Sequence, residues 1–286
     1  MCGSGSGSGS APSRAARETV DSLCDITPGL VMKGMWMRVI GIDPAPKKGL
    51  TVFDGEDHHV TVSDARDFLR ELEAEDDVLI CWDAPLTGPS SRALGGGGSE
   101  HASDFTQRPI EQFFSRGKTG FRAPEGISVM PYSSCPHWAI SRNLLGLPRV
   151  GPWDRDFDSL PFQLVRRDED RPQRGRCVVE VHPAVAAWLW CRQGWTGDSW
   201  QYKSEGEVLK AMWRDLADVL PEHLEAVGEP ADHDELDARV AFALGRIWLS
   251  GEREVVLLGD LDRGTFLVPN VSRLQERFDD FTNVGS

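Results

Sequence analysis

Two short apolar segments constrain the fold of this chain more than any other feature. Residues 38–43 and 78–83 are each an almost unbroken apolar run that ends in an aspartate. Successive side chains of a strand point to opposite faces, so apolar residues at both parities predict strands covered on both sides. Strands of that kind belong to the largely parallel sheets of α/β proteins, and this fold class is therefore expected.

The neighbouring segments predict further elements of the same class. Residues 49–53 and 58–62 predict two strands joined by a turn at 54–57, and residues 177–181 predict another buried strand. Residues 254–268 predict a closing β-hairpin. The helical period predicts helices, the first of them capped by Ser63, at 63–73, 185–190, 205–220 and 234–249.

Composition divides the chain into regions. The opening MCGSGSGSGS is a low-complexity stretch, and residues 1–36 are expected to be a flexible tail or linker. Residues 37–286 are expected to form a single domain, with a loop-rich insertion at about 87–175 that is rich in Gly, Pro and Arg. Six cysteines without a CxxC pair favour reduced thiols in a cytoplasmic protein. No apolar run is long enough for a membrane span, so no membrane association is expected.

Several acidic residues occupy positions where an apolar residue is expected. Asp43 and Asp83 end buried strands, and Glu180 lies between valines inside one. Asp237 is on the apolar stripe of the helix at 234–249, and Asp234 is one turn earlier on the same face. A carboxylate that faces a core is costly unless it is paired or bound to a cation. Together these five acids predict a shared site for Mg²⁺ or Mn²⁺, in which two ions could promote phosphodiester hydrolysis.

Each acid also has a structural interpretation. A strand-end aspartate is often a turn residue or a helix cap, and Glu180 could be paired with an arginine of the neighbouring segments. Residues 232–235 resemble a capping box, and Asp234 could serve only the helix dipole. Asp237 is harder to explain in this way, because a cap does not require an acid on the buried stripe.

The order of these motifs resembles a known family. Gly41-Ile-Asp-Pro44 and Asp234-Glu-Leu-Asp-Ala238 are similar to the end motifs of the ribonuclease H-like Holliday-junction resolvases. A fuller resemblance, over roughly residues 37–270, is to the domain of unknown function numbered 429, a family described as predicted ribonuclease H-like nucleases. The motifs that carry it are Gly41-Ile-Asp43 with Lys48-Gly49, Trp82-Asp-Ala-Pro-Leu86, Glu180-Val-His-Pro183, Lys203 with Gly206, and Asp234-x-x-Asp237-Ala238.

The resemblance implies a ribonuclease H-like fold, in which a mixed five-stranded sheet is flanked by helices. Acids of the first, fourth and fifth strands would meet an aspartate of the last helix. Asp43 would be the central bridging ligand, Asp83, Glu180 and Asp237 would complete the metal cage, and Asp234 would be an alternative or extra ligand. The substrate would be DNA or RNA.

Basic residues are the candidates for substrate binding. Lys48 and Lys203, with Lys47, could contact phosphate near the acids, and His182 could move a proton. Arg116 and Arg122 lie among phenylalanines, the interleaving typical of single-strand binders, although those rings could simply be core. The glycines at 95–98 lack the pattern of a phosphate-binding loop.

The sequence leaves three functions open. The first is a metal-dependent nuclease, which the acids favour. The second is a non-catalytic binding or structural module with its acids paired to arginines, which the net charge of -14 favours because that charge opposes binding to phosphate backbones. The third is a nucleotide-binding protein of the actin and sugar-kinase type. It would need two Gly-rich hairpins and a duplicated domain, and neither is evident.

Overall fold

A six-stranded mixed sheet is the centre of the computed structural model. The structure describes residues 37–86, 107–116, 118–131, 135, 137, 141, 144–145, 161–195, 197–224, 227–251, 254–260 and 264–283. The expected tail at 1–36, the glycines at 95–98 and much of the expected insertion lie outside these residues. Residues 37–286 form one compact unit. No helix in the described part of the chain has the length and apolarity to cross a membrane.

The α/β class expected from the apolar runs is confirmed. The sheet order is β3-β2-β1-β4-β6-β5, in which β1–β3 pair antiparallel and β1, β4, β6 and β5 pair parallel. The sheet has six strands rather than the five expected, because the two-residue β5 adds an edge that no sequence pattern marks. The strands are β1 (Arg38–Ala45), β2 (Gly49–Phe53), β3 (Asp57–Val60), β4 (Val78–Trp82), β5 (Gln163–Leu164) and β6 (Arg176–Glu180).

The helices confirm the expected order with small shifts at their ends. In the described residues they are α1 (Ala65–Glu73), α2 (Pro109–Arg116), α3 (Pro183–Cys191), α4 (Gly206–Val219), α5 (Pro221–Leu224), α6 (His233–Ser250) and α7 (Leu274–Asn283). The prediction of Ser63 as the first cap is wrong. The N-cap of α1 is Asp64, which makes no side-chain capping bond; its carboxylate accepts a hydrogen bond from the Thr61 hydroxyl at 2.6 Å instead. One half of the capping box of α6 is present: Asp232 accepts a hydrogen bond from the backbone N–H of Glu235, whereas the Glu235 carboxylate accepts from the backbone N–H of Ala231.

The sheet is covered on both faces, as the continuous apolar strands require. Alternate residues of β1 and β4, such as Ile40 and Ile80, pack with α1 in a smaller core. The other parity, including Val39 and Leu79, packs with α3, α4 and α6 in a larger core. The expected hairpin is confirmed as strands β7 (Val255–Asp260) and β8 (Gly264–Pro269). It joins the large-core side, and Leu267 of β8 forms a parallel bridge with Val181.

Candidate metal centre

Two aspartates meet at the carboxyl ends of neighbouring parallel strands. The register pairs Ile42 of β1 with Trp82 of β4, so the next residues along the two strands, Asp43 and Asp83, are neighbours. The backbone N–H of Asp83 donates to the carbonyl of Ile42 at 2.9 Å, which continues the pairing past the end of β4. Both aspartates share the parity of Val39 and Leu79, so the alternation of side chains directs them towards the face covered by α6.

Close packing of α6 on β1 brings in a third aspartate. A Cβ atom added at Gly41 would lie 2.0 Å from the backbone oxygen of Ala238 and 2.6 Å from the backbone nitrogen of Phe242. Only a glycine allows the helix backbone this close to the strand. Asp237, which precedes Ala238 and is buried, therefore lies over the end of β1.

Asp43, Asp83 and Asp237 form the cluster that we call the acid triad. Each offers a carboxylate oxygen, and these oxygens lie within 4.8 Å of one another. Burial, followed by the charges of Asp83 and Asp237, raises the pKa of Asp43 well above its usual range. Burial and the charge of Asp237 raise the pKa of Asp83 to about 8. Asp43 and Asp83 therefore retain protons near neutral pH unless a cation replaces them.

The side chain of Asp237 is held by two neighbouring residues. The Tyr202 hydroxyl donates to one carboxylate oxygen at 2.7 Å, and the Lys203 ammonium lies 2.7 Å from the other. Burial lowers the pKa of Lys203, but the charges of Asp237, Tyr202 and Asp83 outweigh it and the net shift is upward. Lys203, a candidate from the sequence, is thus a permanent cation beside the triad.

Asp234 lies on the same cavity but is paired outside the triad. Its carboxylate contacts Lys48 through one oxygen, and His233 Nδ1 lies 2.7 Å from the other. The proximity of His233, joined by Lys48, holds the pKa of Asp234 well below its usual range. Lys48 is therefore near the acids as expected, and in this structure it neutralises Asp234.

Glu180 is at the same end of the sheet but engages an arginine. Arg108 Nη2 donates to Glu180 Oε1 at 2.7 Å, and Arg108 Nη1 donates to Oε2 at 2.9 Å. The backbone N–H of Leu86 adds a third hydrogen bond to Oε2 at 2.8 Å. The structure thus brings Asp43, Asp83 and Asp237 together in one cluster and places Glu180 in a separate ion pair.

A cavity of about 360 Å³ opens onto the acids. His137 and His182 line it together with Lys203 and Cys135. Burial and the charge of Lys203 lower the pKa of His137, and burial, Lys203 and Arg108 lower that of His182 to about 3. Both imidazoles are therefore neutral near pH 7. His137 Nδ1 is 3.7 Å from the Cys135 thiol, and the His182 ring packs edge-on against Phe266.

The basic–aromatic stretch is not part of this cavity. Arg116 and Arg122 are exposed and are not among the described residues that line it. Phe113, Phe114 and Phe121 are buried core residues, as the structural interpretation expected. Phe113 packs edge-on against Phe278 of α7.

Sequence reasoning missed several residues of the site. Arg108, His137 and Cys135 come from the region expected to be a loop-rich insertion, where no periodicity marks a buried position. Tyr202 directly precedes Lys203 and is one of only two tyrosines in the chain, which was the one available signal.

The donor set of the triad fits a hard divalent cation. Carboxylate oxygens are the ligands that Mg²⁺ and Mn²⁺ prefer, and opposite ligands of an octahedral Mg²⁺ ion are about 4.2 Å apart. The oxygens of the triad lie within a similar distance of one another. Burial and, after it, the charges of neighbouring acids raise the pKa values of Asp43 and Asp83, and a bound cation would remove that repulsion.

Comparison with known proteins identifies the family. No curated protein and no solved structure matches the chain. One family model, described as "Protein of unknown function (DUF429)", matches residues 41–260. The match spans most of the chain and runs from the start of the Gly41-Ile-Asp43 motif to the end of β7. The chain therefore belongs to the DUF429 family.

Proposed function

We propose that this protein is a divalent-metal-dependent hydrolase of phosphodiester bonds in DNA or RNA, built on a ribonuclease H-like fold. The observation that carries the proposal is the acid triad, whose three carboxylates approach within 4.8 Å and two of whose members, Asp43 and Asp83, line a cavity. Structural carboxylates are rarely placed this close without a cation, because their mutual repulsion is costly in a buried site.

The topology supports the ribonuclease H-like part of the proposal. An antiparallel β1–β3 unit continues into the parallel strands β4 and β6, and α6 packs across β1. Acids of the first and fourth strands meet an aspartate of the long helix, which is the arrangement that the family resemblance implies. The edge strand β5 and the β7–β8 hairpin are additions to that core.

Asp43, Asp83 and Asp237 would hold the metal ion. When bound, the ion would supply Lewis-acid activation of water and neutralise charge on the phosphate. Tyr202 fixes the orientation of Asp237 through its hydroxyl, and Lys203 adds a positive charge for a phosphate oxygen. His137 is neutral near pH 7 because burial lowers its pKa, so a ring nitrogen can accept a proton inside the cavity.

A non-catalytic binding module is the second candidate. The Glu180–Arg108, Asp234–Lys48 and Asp237–Lys203 pairs favour it, because each acid already has a cationic partner. Asp43 and Asp83 do not fit this alternative. Within the described residues neither has an ion pair or a side-chain hydrogen bond, and both have raised pKa values.

Metal binding separates the two candidates. Mg²⁺ and Mn²⁺ would be titrated calorimetrically into the wild type, Asp43→Asn and the control Asp67→Asn, whose exposed acid lies on α1 and pairs with Arg70. We expect binding in the wild type and the control and none in Asp43→Asn. Single- and double-stranded DNA and RNA would then be assayed with the same three proteins. Absence of binding at millimolar metal by folded wild-type protein would reject the hydrolase.

A further inference from the structure

The register of the sheet sets Glu180 one residue out of step with Asp83. Trp82 pairs with Glu180 across β4 and β6, so Val181 is the β6 residue level with Asp83. Glu180 shares the parity of Val178, which packs in the small core, whereas Val179 and Val181 pack in the large core below α6. The carboxylate nevertheless lines the same cavity as Asp43 and Asp83, so what separates Glu180 from the triad is its partner rather than its distance.

Arg108 binds Glu180 as a bidentate ion pair, with one hydrogen bond to each carboxylate oxygen. The two bonds measure 2.7 and 2.9 Å, and both side chains are only 1 % exposed. Bidentate arginine–carboxylate pairs are the strongest and most directional of protein ion pairs. A metal ion bound to Glu180 would have to share its oxygens with a buried guanidinium, whose positive charge already neutralises the carboxylate and would repel a second cation.

The surrounding residues form a specific socket for Arg108. Its Nε and its backbone N–H both donate to Glu111, at 2.7 and 2.8 Å, and its guanidinium lies over the Phe266 ring at 5.2 Å. A Cβ atom at Gly264 would lie 2.8 Å from Arg108 Cδ, so a glycine at that position leaves room for the side chain. Contacts from α2 and β8 therefore fix the guanidinium independently of Glu180.

The charge of the triad balances with a single ion. Its three carboxylates and the Lys203 ammonium leave two negative charges when all are ionised, which one divalent cation neutralises. A second divalent ion would leave an excess of positive charge in a largely buried site, with Glu180 already neutralised.

We propose that the centre takes one divalent ion, and that Arg108 permanently replaces the second cation of a two-metal centre by neutralising Glu180. This inference rests on the proposed metal-dependent function and replaces the two-ion mechanism expected from the sequence. It makes Arg108 a positioning residue, and it makes Glu180 a structural acid rather than a metal ligand.

Mn²⁺ stoichiometry tests the proposal without an activity assay. Calorimetry of the full chain should give one ion per chain, and electron paramagnetic resonance should show the hyperfine sextet of an isolated Mn²⁺ ion. Two ions per chain, with the exchange-coupled spectrum of ions about 4 Å apart, would overturn it. Absence of bound Mn²⁺ is a different result, because it rejects the proposed function itself.

Matched isosteric variants test the role of Glu180. Asp83→Asn should weaken Mn²⁺ binding by more than about 100-fold, whereas Glu180→Gln should change the dissociation constant by less than about threefold. If Glu180→Gln does not fold, the triple variant Arg108→Gln/Glu111→Gln/Glu180→Gln removes the buried guanidinium together with both of its acids and should bind one Mn²⁺ with near wild-type affinity. A folded Glu180 variant that binds Mn²⁺ more than about tenfold more weakly would contradict the proposal.

Discussion

Two groups of buried carboxylates lie at the same end of the sheet and are neutralised in different ways. Glu180, together with Glu111, surrounds the buried guanidinium of Arg108. Asp43 and Asp83 have no such partner among the described residues. Burial and the charges of neighbouring acids, Asp237 among them, raise the pKa values of both. Glu180 and Glu111 are thus neutralised by a cation of the chain itself, whereas Asp43 and Asp83 are neutralised by bound protons.

The difference shows that a buried acid can have either a structural or a functional role, depending on what neutralises it. A fixed guanidinium satisfies Glu180 at every pH near neutrality, so that pair contributes to the fold. The triad is satisfied only when something exchangeable enters, either protons or a divalent cation. Four predictions follow from this contrast, from the largest expected effect to the smallest.

Removing the buried guanidinium of Arg108 should have the largest effect on the free energy of unfolding. Arg108→Gln leaves Glu180 and Glu111 buried without their cation, and we expect a loss of about 3–5 kcal/mol in the free energy of unfolding. Denaturant unfolding measures it. The control is Arg70→Gln, which breaks the exposed pair with Asp67 and should change stability little. Equal effects of the two variants would contradict the distinction between the groups.

Widening the contact between α6 and β1 should damage the triad and leave the arginine pair intact. Gly41→Ala places a Cβ atom 2.0 Å from the Ala238 oxygen, and we expect a loss of about 2–4 kcal/mol as the helix is displaced. Mn²⁺ affinity should fall with it, because Asp237 moves with the helix. Gly206→Ala at the start of α4 meets open space and is the control. Unchanged Mn²⁺ affinity in Gly41→Ala would show that the close approach does not position Asp237.

Replacing an acid by its neutral isostere should change the free energy of unfolding in opposite directions in the two groups. Asp83→Asn removes a carboxyl whose ionisation is unfavourable in the fold, so we expect the metal-free protein to gain on the order of 1–3 kcal/mol at pH 7. Glu180→Gln weakens a satisfied pair and should lower stability. Thermal unfolding in chelator compares both with the wild type. Destabilisation by both variants would mean that the triad is also satisfied without an ion.

The stability of the protein should depend on pH through the ionisation of Asp83. Asp83 ionises near pH 4 in the unfolded chain and at about 8 in the fold, so the folded state binds more protons between these values. Stability of the metal-free protein should therefore fall as pH rises from 4 to 8, and Asp83→Asn should flatten this slope. Mg²⁺ must displace the same protons, so its stabilising effect should be larger at pH 8 than at pH 6. A Mg²⁺ effect independent of pH would contradict the raised pKa.

Local patterns predicted much of the fold. The runs at 38–43, 78–83 and 177–181 are continuous and apolar, and each became a strand. Asp237 was recognised because the helical period places it on a buried stripe. The two-residue β5 was missed because it is too short to show any period. Arg108 was missed because it lies just before a short helix, in a region where nothing in the sequence marks a buried cation.

The sequence by itself determined that acids end two buried strands, that another lies inside a third, and that one lies on the buried face of a helix. The period of each element follows from its own backbone, so these assignments needed no partner. Only the tertiary structure decided which acids meet. Pairing Trp82 with Glu180 places Val181, and not Glu180, level with Asp83, and Arg108 then takes both oxygens of Glu180. The register of the strands and the position of Arg108 beside Glu180 both depend on long-range packing, which no local sequence pattern encodes.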